Sequence, residues 1–174
     1  GFWRSFDESS DQGMAKILLE SHLNFDVANF SQDFSEYDIV LIPSVACLAE
    51  AEADRLNAFV ENGGSLVVMG AGALNRECTG MLLDVGADYL GEAQFDVDYT
   101  VVGNDLELEL VETPFLNYNA AHRVSPHTDS KVLARIREPY FSRSYGKYSS
   151  HQNTPYLLED APHPAIIRKG AVIY

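Results

Sequence analysis

Two short, wholly apolar runs flank an amphipathic segment in the first half of the chain. The runs are Ile39–Ile42 and Leu66–Met69, and no polar residue interrupts either of them. Such runs are typical of strands that are buried on both faces of a parallel sheet. Between them, residues 48–62 carry apolar side chains at helical spacing, and Gly63 follows as a helix stop. The pattern predicts a strand–helix–strand crossover unit, the building block of an open α/β sheet.

Weaker patterns predict further elements on both sides of this unit. Residues 14–22 have the spacing of an amphipathic helix, and residues 81–85 are predicted to form one or two helical turns. In the strand predicted at Phe95–Val101, the alternation places Asp98 on the solvent face. The remaining strands are predicted at residues 25–29, 106–110, 132–136, 165–167 and 171–173, the last two as a closing hairpin. The whole pattern predicts an α/β domain with a mainly parallel central sheet and additional β-strands in its C-terminal half.

The loops that follow the two apolar strands are the expected place for a ligand, because open α/β sheets bind ligands beyond the carboxyl ends of their strands. These loops are Pro43–Cys47 and Gly70–Leu74. A nucleophile on a strand-to-helix elbow would fall within Met69–Ala73, but Ala71 and Gly72 stand there and neither Cys nor Ser is present. The Gly-Ala-Gly sequence also lacks the longer glycine pattern and the Lys of a phosphate-binding loop. Covalent catalysis at the elbow is therefore excluded, and no cofactor is predicted.

Cys47 is the remaining candidate nucleophile. A thiolate at a helix N-terminus has a lowered pKa and is reactive, whereas a cysteine packed on a first helical turn behaves as a small hydrophobe. The second interpretation is favoured because no histidine neighbours Cys47 in the sequence. Cys78 is interpreted as a loop residue without a role. Two cysteines make no disulfide framework, and they do not indicate the cellular compartment.

The sequence contains no pattern typical of a metal site or of an acid–base pair. No pair of the five histidines has the spacing of a helical metal site, and no Cys-x-x-Cys accompanies them, so no metal is predicted. Carboxylates are abundant, but nothing marks two of them as a glycosidase-type pair. The histidines are His22, His122, His127, His151 and His163.

Composition narrows the class of partner. The chain has 174 residues, the size of one domain, with 46% hydrophobic and 22% charged residues, as in ordinary globular proteins. Its formal net charge of −14 opposes binding to nucleic acid or to an anionic membrane. No run approaches the length of a transmembrane helix, and no signal peptide opens the sequence. The chain stops within a predicted strand, so we expect residues 1–174 to be a single domain excised from a longer protein.

One segment, Tyr140–Pro164, has no periodicity and is rich in tyrosine. A loop of this length inside a compact domain is uncommon unless it is functional or covered by a partner. Its Arg143, Tyr145, His151 and Gln152 offer an aromatic face and hydrogen-bonding groups, which suit a sugar or a wet protein interface. We therefore predict these four residues as interface or sugar-binding candidates.

Several stretches, taken together, resemble a known domain. They are Tyr37–Ser44, Gly63–Met69, Val132–Phe141, Ser150–Pro155 and Pro164–Tyr174. In order and spacing they are similar to the class I glutamine-amidotransferase-like domain of family 42 β-galactosidases and related glycoside hydrolases, where it is called the trimerisation domain. The resemblance covers most of the chain from about residue 14.

The resemblance implies a flavodoxin-like three-layer fold that lies C-terminal to a (β/α)₈ catalytic barrel. It implies subunit contacts within a homo-oligomer and a role in walling the sugar site of that barrel. True glutamine amidotransferases carry a cysteine at the elbow, and here Ala71 or Gly72 takes that position. We therefore predict a non-catalytic accessory or oligomerisation domain of a glycoside hydrolase. The alternatives are a stand-alone amidotransferase-superfamily enzyme that uses Cys47 and a small-ligand-binding module of flavodoxin-like form.

Overall fold

The computed structural model describes residues 9–106 and 113–174. Within these ranges two α-helices and nine strands follow one another, with single 3₁₀ turns at Gly70–Ala73 and Asn104–Leu106. No described helix has both the length and the apolar character needed to cross a bilayer. The elements are α1 (Ser9–Glu20), β1 (Ile39–Ile42), α2 (Glu50–Glu61), β2 (Ser65–Val68), β3 (Ala87–Gly91), β4 (Asp98–Val102), β5 (Phe115–Asn117), β6 (Arg123–Pro126), β7 (Lys131–Arg137), β8 (Pro164–Lys169) and β9 (Val172–Ile173).

Seven of the strands form one mixed sheet in the order β1-β2-β9-β8-β7-β4-β5. Only the β1–β2 and β2–β9 pairs are parallel, and all other neighbours in this sheet are antiparallel. Strands β3 and β6 form a separate antiparallel pair. The short β9 therefore joins a small parallel part of the sheet to a larger antiparallel part.

The predicted strand–helix–strand unit is confirmed. Strands β1 and β2 pair in parallel with Ile39 opposite Ser65. Helix α2 lies between them in the chain and buries Ala53, Leu56 and Phe59. The Glu52 carboxylate accepts a hydrogen bond from the Ala49 N–H at 2.7 Å and so satisfies one of the free donors at the helix N-terminus.

The backbone conformation and hydrogen bonds at Gly63 and Gly64 explain why α2 ends. The Gly64 N–H reaches back to the Phe59 carbonyl at 3.0 Å, and the Gly63 N–H to that of Val60 at 3.0 Å. Gly63 has φ of +99°, a conformation that favours glycine. The chain is thereby turned directly into β2.

The predicted mainly parallel, flavodoxin-like three-layer sandwich is wrong. Parallel neighbours need a long crossover, usually a helix, and the described residues contain no α-helix after α2. Except for the β2–β9 pair, the later strands consequently pair antiparallel. On the other side, α1 buries none of its described side chains and does not form a layer against the sheet.

Several smaller predictions also fail. Residues 25–29 form no strand, and residues 81–85 form no helical turn. The strand expected at Phe95–Val101 begins only at Asp98, whose side chain is fully buried rather than solvated. Residues 107–110 of the strand predicted at 106–110 lie outside the described residues, and Leu106 ends a 3₁₀ turn. Strands β3, β5 and β6 were not predicted at all.

The predicted runs at 132–136 and 165–173 are confirmed as β7 and the β8–β9 hairpin. The main core lies between α2, the parallel strands and the β3–β6 pair. Its large, fully buried side chains include Leu48, Leu56, Leu66, Val85 and Ile167.

Candidate functional site

The loops at the carboxyl ends of β1 and β2 are pressed against each other. The Ala71 N–H donates to the Ser44 carbonyl at 3.0 Å, and the Leu48 N–H donates to that of Leu74 at 2.8 Å. A Cβ on Gly72 would lie 2.8 Å from the Pro43 oxygen, closer than real contacts allow. Glycine at the elbow thus serves the close approach of two backbones.

Cys47 and Cys78 meet beside these loops, with their sulfur atoms 3.1 Å apart. Cys78 sits in a turn with φ of +54°, which is uncommon for a residue with a Cβ. Cys78 is thus a loop residue, as predicted, and its sulfur has a contact that the sequence did not indicate. The Cys47 sulfur contacts that of Cys78. The stand-alone enzyme alternative, which uses Cys47, stays a prediction.

A small polar cluster lies nearby at the end of the sheet. The Tyr174 hydroxyl donates to the Gly70 carbonyl at 3.1 Å, and Nδ1 of His122 lies 3.4 Å from that hydroxyl. The Tyr89 ring packs edge-on against the His122 ring at 5.4 Å. Burial lowers the pKa of His122, opposed by the charge of Glu92 and by the Gly70 backbone. Burial also raises the pKa values of both tyrosines, so at neutral pH the cluster is an uncharged hydrogen-bonded group.

The predicted interface segment, residues 140–164, is called the tyrosine loop below. Two backbone hydrogen bonds hold the two ends of the loop together. The Tyr140 N–H donates to the Pro155 carbonyl at 3.0 Å, and the Leu157 N–H donates to the Glu138 carbonyl at 2.8 Å. Its tip turns at residues 144–147, where Tyr145 is fully exposed. The absence of regular structure in this segment is as predicted.

The four predicted side chains do not form one cluster. The Arg143 guanidinium donates to the backbone carbonyl of Gln152, which brings these two residues together. Within the described part of the chain, no hydrogen bond joins the side chains of Tyr145 and His151 to either of them. Both of those side chains point to solvent.

A cavity of about 140 Å³ lies beneath the tyrosine loop. At roughly 30 Å³ per water molecule, it has room for about four or five waters or a small polar group. The Oγ1 atom of Thr154 is buried in its wall and has no hydrogen-bond partner among the described residues. Besides Arg143, sequence reasoning missed this lining, which consists of Phe95, Asp96, Val97, Pro139, Phe141, Ser142, Asn153 and Thr154.

Buried charged side chains lie next to the residues that line this cavity. The Asp98 carboxylate pairs with Nη1 of Arg123 at 2.9 Å, and both side chains are almost fully buried. The same carboxylate accepts hydrogen bonds from Asn117 Nδ2 at 2.8 Å and from the Ala121 N–H at 2.9 Å. The second Arg123 nitrogen reaches Glu138 at 3.4 Å, immediately before the tyrosine loop. The network thus ties β4 and β6 to the base of that loop.

A second exposed surface is apolar and lies at the start of the described chain. Residues 10–29 contain no buried side chain, and residues 21–29 are all exposed. We call this the α1 surface. Its large exposed side chains are Ile17, Leu19, Leu23, Phe25 and Val27.

The described residues contain no group of three or more His, Cys, Asp or Glu side chains that could hold a metal ion. The features described are two exposed segments, a small cavity and a thiol pair.

A family profile for the β-galactosidase trimerisation domain matches residues 16–86, from within α1 to the residue before β3. Among solved structures, the chain is similar over 98% of its length to α-L-fucosidase isoenzyme 2 from Paenibacillus thiaminolyticus, with 26% identity and a TM-score of 0.89. It corresponds to only 26% of that fucosidase chain. No curated protein matches the sequence.

A ThuA-like protein from Bacteroides uniformis is similar in fold alone, with 17% identity and a TM-score of 0.55 over 96% of this chain and 72% of that one. The trimerisation-domain match and the fucosidase match confirm the prediction of a non-catalytic accessory domain of the kind that glycoside hydrolases carry. Neither of these two matches extends the resemblance to glutamine amidotransferases.

Proposed function

We propose that this chain is the accessory domain of a glycoside hydrolase, that it joins copies of the parent protein, and that it helps to wall the parent's sugar site. One observation carries the assembly role: all the large exposed apolar side chains of the α1 surface lie within the segment that matches a trimerisation domain. Within this proposal, we extend the resemblance to glutamine-amidotransferase-like domains only to the β1–α2–β2 unit.

The α1 surface has the properties of a subunit contact. Ile17 and Leu19 are 66% and 65% exposed, and Val27 is 88% exposed. A helix of twelve residues is marginal in water without packing, and exposed large apolar side chains close together in the chain favour an interaction site. We assign a second copy of the chain as the partner, because the profile that covers this surface describes association between like subunits.

The tyrosine loop is proposed to face the catalytic barrel of the parent or of a neighbouring subunit. Tyr145 and Tyr148 are largely exposed, although ordering such a loop costs about 1 kcal/mol or more per residue in backbone entropy. A partner would offset that cost by burying the tyrosine rings. Arg143, His151 and Gln152 are the proposed polar contacts to this partner or to sugar hydroxyls.

The assembly proposal is tested by the native mass of the full-length parent. Leu19→Asp together with Val27→Asp should lower the mass from that of an oligomer towards that of a monomer, because interface burial would trap two carboxylates. Leu90→Asp is the matched control, since Leu90 is 57% exposed and lies outside the matched segment. An unchanged mass in the Leu19/Val27 variant, with a folded circular dichroism spectrum, would refute the assignment of the α1 surface.

The loop proposal is tested by glycosidase kinetics of the parent carrying Tyr145→Ala or His151→Ala. We expect a raised KM or a lowered kcat in at least one variant, while the native mass stays constant if the loop faces sugar. A changed mass would instead indicate that the loop contacts a neighbouring subunit. Unchanged kinetics and mass in both variants would contradict a role for this loop.

A further inference from the structure

The Cys47–Cys78 contact goes beyond an assembly role and is independent of it. We propose that these residues form a modifiable dithiol, which low-molecular-weight disulfides convert into an intramolecular disulfide. The new bond would clamp the loop after β1 to the turn that follows β2. The relevant observation is the 3.1 Å separation of the two sulfur atoms, which are contributed by segments far apart in the sequence.

The backbone on both sides already holds the thiols in place. Leu48, next to Cys47, bridges Asn75 and donates to the Leu74 carbonyl at 2.8 Å. The turn that carries Cys78 is closed by the Cys78 N–H, which donates to the Asn75 carbonyl at 2.8 Å. The Asn75 side chain adds a second closure by accepting from the Thr79 N–H at 2.8 Å.

These constraints make the covalent step short. A disulfide needs its sulfur atoms about 2.0 Å apart, so they must approach by roughly 1 Å. Side-chain rotation can supply a movement of this size without breaking the Leu48–Asn75 bridge. Both cysteines are also partly exposed, which gives a small reagent access to at least one sulfur.

The chemistry is a two-step thiol–disulfide exchange. The thiolate of one cysteine attacks a sulfur of the small disulfide, forms a mixed disulfide and releases one small thiolate. The second cysteine loses its proton, attacks the protein sulfur of the mixed disulfide and releases the second small thiol. The protein dithiol is oxidised by two electrons, the small disulfide is reduced to two thiols, and the two cysteine protons end on those thiols.

The bond would enclose the segment that contains α2 and β2. Cross-linking a loop of this size restricts the unfolded chain, and for a domain of this length we expect Tm to rise by about 5–15 °C. A reductant should restore the original Tm. The modification is therefore a reversible, redox-dependent clamp on the strand-end loops.

The test uses the purified chain and oxidised glutathione as the probe. The wild-type protein should lose both thiols, lose the mass of two hydrogen atoms, carry no adduct and yield a Cys47–Cys78 peptide after proteolysis. The Cys47→Ser and Cys78→Ser variants should instead keep a glutathione adduct on the remaining cysteine and show no rise in Tm.

Three outcomes would overturn the proposal. They are a wild-type protein that accumulates stable glutathione adducts on both cysteines, one that cross-links between chains, and one that does not react at all while denatured chain does. Since the decisive readout is the wild-type mass and peptide map, the proposal stays testable even if a serine variant folds poorly.

Discussion

Removal of the Asp98 carboxylate should destabilise the fold severely. In Asp98→Ala, the Arg123 guanidinium stays buried, loses its carboxylate partner at 2.9 Å and keeps the longer contact with Glu138 at 3.4 Å. Asn117 Nδ2 and the Ala121 N–H lose acceptors at 2.8 and 2.9 Å in the same step. Breaking a buried ion pair by removing one partner costs about 3–5 kcal/mol, and the lost hydrogen bonds add to the cost while the remaining Glu138 contact offsets part of it.

The size of this effect can be set against the stability of the whole domain. The free energy of unfolding of a domain is about 5–15 kcal/mol, so the variant would lose a large part of its stability. For a chain of this length each kcal/mol shifts Tm by about 2–4 °C, and we expect Tm to fall by about 6–20 °C. The tyrosine loop should loosen as well, because Arg123 also contacts Glu138 at its base.

Urea denaturation followed by circular dichroism provides the measurement. The matched control is Asp105→Ala. This change removes a surface ion pair in which the Asp105 carboxylate lies 2.7 Å from the Lys131 ammonium group. Since exposed pairs contribute about 0–1 kcal/mol, this variant should remain close to wild type. Asp98→Leu combined with Arg123→Met should recover part of the loss, because both members of the buried ion pair are removed and Glu138, which loses Arg123, is partly exposed. A change below about 1 kcal/mol in Asp98→Ala would refute the reasoning.

Two further predictions concern the strand-end loops. Burial lowers the pKa of His122 in the folded state below the value of about 6.5 for the unfolded chain. Between these two pKa values the unfolded chain binds more protons than the folded one, so stability is lost as pH falls through this window. His122→Gln should flatten the dependence of the urea midpoint on pH between about 7 and 5, and an unchanged slope would contradict this. Gly72→Ala should cost about 1–3 kcal/mol, because its Cβ would lie 2.8 Å from the Pro43 oxygen. Gly13→Ala, in open space on α1, should be neutral or stabilising by up to about 1 kcal/mol in the same unfolding assay, and equal losses in both variants would argue against crowding.

The parallel unit could be predicted because its signals are local. Uninterrupted apolar runs, a helical stripe and Gly63 specify β1, α2 and β2 without reference to the rest of the chain. The β8–β9 hairpin was predictable for the same reason, since its turn lies within the hairpin itself. Sheet direction was not predictable, because it depends on which distant strands become neighbours.

The site was predicted less well, because its parts meet only through tertiary contacts. Asp98 alternates with apolar residues as a solvated position would. Its burial is made favourable by Arg123, in a strand that was not predicted, and by donors from Asn117 and Ala121. Cys47 and Cys78 are separated by a whole crossover unit, so no spacing rule connects them. Arg143 was predicted as an interface or sugar-binding residue of the tyrosine loop, and that role stays a prediction. The cavity that it lines also depends on residues 95–97, far away in the sequence.

The position of β9 has a consequence for folding on the ribosome. In the finished sheet Leu66 is paired with Val172, so β2 acquires its second neighbour only after more than a hundred further residues have been synthesised. Until then, one side of β2 presents unsatisfied N–H and C=O groups, a state in which strands associate with other chains. Contacts of such long sequence separation also slow folding, since the intervening chain must be ordered before they form. A nascent chain with the β1–α2–β2 unit already formed would therefore benefit from a chaperone that covers this side of β2 until β9 emerges.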